Sequence, residues 1–244
     1  MEAFIVSVLT ALISTVGAVV SVWYSRQATR RERIDAAEAL ATHFREPLLQ
    51  ATFNLQTRIY NIVELDFFER FLGESNTKED REYAKLNTMY LFGQYFCWLE
   101  IARRHAQFID PANNQRNHAI VSKLEAVRDV FTDSIDKSTF RLFRGEQRVL
   151  GEVMFARIED PQPGTPRWEC MGYAAFVEAL EREQVARWFR RLGEDIVITA
   201  RDRRGHDGRL RLIQRCLMDV MDVLDPDGLR VASHLRQRVT QSSS

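Results

Sequence analysis

Residues 89–102 read MYLFGQYFCWLEIA, and this stretch decides the fold. Apolar side chains fall on every face of the helix it would form, which marks a helix enclosed by others rather than one lying on a surface. It is too short to cross a bilayer, and Gln94 and Glu100 interrupt it. We read it as the central core helix of a bundle, running from about Lys78 to Ile109, with Thr77 as N-cap and Asp110-Pro111 as its stop.

Upstream, Leu48, Leu55, Ile59 and Ile62 form one stripe, and Leu49, Phe53, Tyr60, Val63 and Phe67 its neighbour. Together they predict a well-buried helix from Pro47 to about Leu72. Ile34, Ala37, Ala41, Phe44 and Leu48 continue the three-four spacing back towards the N-terminus as a stalk. Downstream, Ile120, Leu124, Val127 and Phe131 are the inner face of a helix over 114–136. The stretch 138–158 favours helix through GEQRVLGEVMF, although Phe140, Leu142 and Phe143 could open a strand. Pro161, Pro163, Gly164 and Pro166 mark a linker. Helices are expected over 172–192 and 208–224, with Ile196 to Thr199 either a short strand or a helix end. Asp225-Pro226-Asp227-Gly228 is a turn sequence, and the tail ending QSSS reads as disordered.

The N-terminus carries a different signal. Ala3 to Tyr24 contains no charged residue. Such a run is about 33 Å long as a helix, enough for a hydrocarbon core. Trp23 and Tyr24 sit where an interfacial aromatic belt would lie. A secretory signal would place basic residues before the run, whereas Arg26, Arg30, Arg31 and Arg33 follow it. That asymmetry predicts a single-pass anchor in the cell membrane, N-terminus outside and body cytoplasmic. The fold class is thus mostly α, one transmembrane helix followed by a cytosolic multi-helix bundle. The organisation is anchor 1–25, stalk and main bundle 26–158, linker 159–167, C-terminal helices 168–228 packed on the bundle, and tail 229–244. Within the span, Ser7, Thr10, Ser14, Gly17 and Ser21 form a stripe of small residues suited to close helix approach, which predicts a homo-oligomer.

Composition limits the function. The 34 basic residues balance 34 acidic ones, which argues against a nucleic-acid binder. Cys97, Cys170 and Cys216 are isolated and odd in number, so the sequence supports neither a disulfide framework nor a zinc site. Phosphate loops, dinucleotide fingerprints, zinc helices and nucleophile elbows are all absent, and no cofactor is implied.

Weaker signals remain. RDRRGHDGR, 201–209, could cradle a phosphate through Arg201, Arg204, His206 and Arg209, or be a solvated loop. Asp219, Asp222 and Asp225 could hold a cation, but lack the calcium-loop pattern and read better as an exposed helix face. Asn54, Arg58 and Asn61 align on one helix, and a buried Arg58–Glu100 pair would fix helix register. The arginines after the span suit anionic membrane lipids.

The segments REPLLQATFNLQTRIYNIVE (45–64) and FRLFRGEQRVLGE (140–152) resemble uncharacterised bacterial proteins with one N-terminal membrane helix. The resemblance implies the same architecture and no activity. The expected function is a membrane-tethered interaction or regulatory module with an unidentified cytosolic protein partner. The alternative is a membrane-proximal enzyme acting on a phosphorylated or lipid-like substrate through the 201–209 loop. Convergent polar side chains in a pocket would favour the enzyme.

Overall fold

A computed structural model describes residues 44–104, 114–134, 139–159 and 168–240, with Trp23 and Gln27 singly. The small-residue stripe, the arginine cluster, the proline-rich segment 160–167 and the last four residues lie outside the described residues, as does the span apart from Trp23.

The body is mostly helical. Helix α1 covers 44–64 and buries Leu48, Leu55, Ile59 and Ile62, the predicted stripe. It ends earlier than its apolar pattern suggests. Asp66 adopts a left-handed conformation (φ 54°, ψ 36°), and the chain restarts as α2, Phe67–Leu72. Aspartate tolerates that conformation better than most side chains. Arg203 secures the break by donating to the Val63 carbonyl and pairing with Asp66 at 2.7 Å.

Helix α3, Lys78–Arg104, is the central helix. Thr77 caps it, its hydroxyl accepting the Asp80 N–H at 3.1 Å. Phe92, Tyr95, Phe96 and Cys97 are buried almost completely, so the all-round apolar stretch is enclosed. Helix α4, Asn114–Thr132, faces inward through Ile120, Leu124, Val127 and Phe131. Helix α5, Arg144–Glu152, lies against α3 at Gly151, where a Cβ would stand 2.5 Å from the Phe96 carbonyl oxygen. Strand β1, Phe155–Arg157, pairs antiparallel with β2, Trp168–Cys170, setting Phe155 opposite Cys170.

The single helix expected over 172–192 is two: α6, Tyr173–Ala179, and α7, Glu183–Arg201. The turn between them lets Phe176 and Phe189 meet edge to face at 5.0 Å. In one straight helix those positions would lie about 20 Å apart. Ile196 to Thr199 are helical, because Phe189, Leu192, Ile196 and Thr199 form a buried helical stripe that outweighs their β-branched preference. After a short turn, α8 (Arg203–His206), comes α9, Gly208–Leu224, which packs along α4.

One apolar cluster takes in residues from both sides of the 160–167 segment, from Phe44 to Val239. Residues 229–240 are therefore part of the fold and not a loose tail. Val231 and Val239 are buried, and Gln214 ties the segment down by donating to the Gln237 carbonyl (2.7 Å) and accepting the Val239 N–H (3.2 Å).

Candidate docking cleft

An apolar concavity lies where α3, α4 and α5 meet. Phe96, Leu99 and Ala102 of α3 and Leu124 of α4 make an apolar floor, extended at the rim by half-exposed Val121. Counted together with the open solvent at its mouth, the space is about 570 Å³. Glu100, Arg103, Glu125, Arg128, Gln147 and Arg148 complete the lining.

These charges are largely committed to one another. Arg103 grips Glu100 with two nitrogens at 2.6 and 2.7 Å, and Arg104 adds a third contact at 3.0 Å. Arg148 stands 3.8 Å from the same carboxylate. Glu125 takes Arg128 at 2.6 Å and Arg144 at 2.8 Å. Gln147 is buried and donates to the Arg128 and Leu142 carbonyls at 3.0 and 2.9 Å, joining α4 to the start of α5. Burial pushes the Glu100 carboxyl up, but the hydrogen bonds from Arg103 and Arg104 outweigh it and hold the group below the usual carboxylate range. Glu100 therefore stays ionised near neutral pH and is poorly suited to proton transfer.

The predicted Arg58–Glu100 pair does not form. Arg58 donates to Asn87 at 2.7 Å and Thr88 at 3.5 Å, and its guanidinium lies 3.9 Å over the Phe67 ring. Thirteen residues of helix, about 20 Å, separate Asn87 from Glu100. Glu100 sits in the last turns of α3, where arginines three and four residues ahead reach it more easily than another helix can. Burial lowers the Arg58 pKa from its ordinary value. Asn54 joins another chain of contacts, donating to Gln94 at 3.4 Å, which donates to the Tyr90 hydroxyl at 3.2 Å.

The 201–209 segment is a helical turn rather than a loop, with Arg201, Asp202, Arg204, Gly205 and Gly208 exposed. The Asp202 carboxylate accepts the Gly205 N–H at 3.1 Å and helps set the helical turn α8. Arg209 is buried and donates to the Val130 carbonyl, while Arg201 and Arg204 are exposed and the His206 carbonyl accepts the Thr139 hydroxyl at 2.9 Å. Asp219 and Asp222 lie on an open face of α9 and Asp225 is buried just beyond its end, and all three are ion-paired. Asp219 meets Lys123 (3.1 Å) and Arg238 (3.0 Å), Asp222 meets Arg238 (2.8 Å), and Asp225 meets Arg236 (2.5 Å). Among the described residues no group of three metal-binding side chains is present.

Sequence reasoning missed the cleft. Val121 beside Ile120 and Leu124 widens the apolar face of α4 beyond what α9 covers, and that widening was its one legible sign. No family model, curated protein or solved structure matches the chain.

Proposed function

We propose that this protein is a membrane-tethered helical interaction module, and that the α3–α4–α5 cleft is its docking site. The uncharged run Ala3 to Tyr24 supplies the tether, with the N-terminus outside and the body in the cytosol. Among the described residues no helix is long and apolar enough to cross a membrane, so the tether rests on that run alone.

The observation that carries the docking reading is an apolar floor inside a rim of ion-paired charges. Chemistry needs a group free to exchange a proton or to attack. Both carboxylates lining this cleft are held by arginines. Binding needs apolar area to cover and charges to set orientation. Three lining arginines face two glutamates. The fitting partner is thus a protein segment that offers an apolar side chain flanked by aspartate or glutamate. Burying one such side chain contributes about 1.5–3 kcal/mol before the ordering cost.

A photoreactive residue at position 121 of the full chain, activated in native membranes, tests this. It is expected to attach to an apolar position beside acidic residues in one protein, and Arg148→Glu should cut the yield several-fold. Adducts to lipid alone, or a yield unchanged by Arg148→Glu, would overturn the docking site. A reporter fused after Ser244 tests the tether separately, because an externally exposed C-terminus defeats the orientation without touching the cleft.

A further inference from the structure

The three cysteines look isolated in sequence, yet the fold brings two of them together. Gly93 on α3 lies against Met154, where a Cβ would meet the Met154 sulfur at 3.1 Å. Cys97 is one turn further along the same face of α3 and is fully buried. Two turns beyond it, the Arg104 guanidinium lies 4.7 Å from the Phe155 ring centre. The chain leading into β1 therefore runs along α3 past Cys97. Cys170 is the direct antiparallel partner of Phe155, and opposite residues in such a pair project to the same side. The Met171 N–H donates to the Met154 carbonyl at 2.9 Å, and the Tyr90 hydroxyl donates to the Met171 carbonyl at 3.3 Å, pinning this end of β2 to α3. Burial raises the Cys97 pKa and the neighbouring Cys170 side chain raises it further, which places the two thiols near each other.

We propose that Cys97 and Cys170 form a dithiol that a peroxide oxidises reversibly to a disulfide, bridging the central helix to the β1–β2 hairpin. Both thiols are free in this structure. Helix α3 and strand β2 already pack together, and an S–S bond of about 2.05 Å requires the two Cβ atoms to stand roughly 3.5–4.5 Å apart.

The chemistry balances with hydrogen peroxide as oxidant. Cys170, the half-buried member, attacks one peroxide oxygen as the thiolate. An S–O bond forms, the O–O bond breaks, and the departing hydroxide leaves as water with the proton given up by that thiol. The Cys97 sulfur then attacks the sulfenic sulfur of Cys170. The S–S bond forms, the S–O bond breaks, and the second hydroxide takes the Cys97 proton as water. Two electrons pass from the two sulfurs to the peroxide. Burial pushes the Cys97 thiol up, which leaves the first attack to Cys170. Cys216 sits on α9, where its surroundings are Asp219, Lys123 and Arg215 rather than a second thiol.

The test uses the full chain in detergent, treated with hydrogen peroxide, denatured, alkylated with iodoacetamide and digested with trypsin. The cysteines fall in separate peptides, 86–103, 168–182 and 216–230. The expected product joins the first two, two hydrogens lighter than their sum, with Cys216 alkylated and with dithiothreitol restoring all three thiols. Cys216→Ser should leave the yield of the bridge unchanged. Cys97→Ala should abolish the bridge and leave Cys170 as a sulfenic acid that dimedone traps. Alkylation of all three cysteines after peroxide, a bridge through Cys216, or over-oxidation of Cys170 while Cys97 stays a free thiol would each overturn the proposal.

Discussion

Asp225 offers the sharpest test of how the C-terminal segment is held. It follows the last turn of α9, where the helix dipole disfavours a carboxylate. The chain beyond compensates. The Asp225 carboxylate accepts the N–H groups of Leu229, Arg230 and Val231 at 3.0, 3.2 and 3.0 Å, and Arg236 donates to it at 2.5 Å. Asp225→Ala removes all four contacts. Leu229 and Arg230 are exposed residues whose amides can turn to water, so they contribute less. Val231 is buried, and an unsatisfied amide there costs about 1–3 kcal/mol. The Arg236 side chain is only 12% exposed, and its charged hydrogen bond is worth about 1.5–3 kcal/mol. Together the loss is about 3–5 kcal/mol, or a fall in Tm of roughly 6–20 °C for a chain of this size. Thermal melting of the full chain in detergent, followed by helical circular dichroism, measures it, with Asp227→Ala at the neighbouring exposed position as control. Asp225→Asn keeps one acceptor oxygen and should fall between the two. The pH dependence has a definite sign. Burial raises the Asp225 pKa, but the Val231 and Arg230 amides and the Arg236 charge lower it more, leaving the folded value below normal. The stabilisation is thus complete above the unfolded value of about 3.9 and drains away as pH falls through the lower folded one. Equal melting of Asp225→Ala and Asp227→Ala would refute the clasp.

The α3–α5 contact and the proposed membrane span give two more predictions. Gly151→Ala places a methyl 2.5 Å from the Phe96 carbonyl oxygen and 2.9 Å from its carbon, backbone atoms that cannot rotate aside, so it should cost about 1–3 kcal/mol. Gly145→Ala, with nothing within 4 Å, should instead stabilise α5 by about 0.5–1 kcal/mol; the same melting assay reads both, and matching shifts would contradict the close approach. In the span, Ser14→Leu with Gly17→Leu should weaken self-association of the full chain in a membrane reporter assay; unchanged association removes the small-residue stripe as an assembly face.

The bounds of α9 and the inner face of α4 were legible in the sequence, because apolar residues at three-four spacing must share one side of a helix whatever they pack against. The central helix was legible for the same reason: an all-round apolar stretch has to be enclosed. The proposed span and its proposed orientation likewise rest only on local features, 22 uncharged residues and the arginines after them. What the sequence could not settle depends on distance through space. The apolar stripe of 44–72 runs on past Asp66, and only Arg203, more than a hundred residues away, secures the break there. Ile196 to Thr199 prefer strand locally, and burial on α7 decides for helix. Glu100 was legible as a carboxylate in an apolar stretch, but its partners followed from its place at the end of α3 rather than from Arg58. The cleft depends on how α3, α4 and α5 come together with Val121 left open at its rim. Cys170 is set opposite Phe155 by the register of two three-residue strands, and β2 packs on α3, which carries Cys97 73 positions earlier in the chain. Periodicity states which side of an element is apolar, whereas pairing between side chains depends on which elements lie next to each other, and packing of the whole chain decides that.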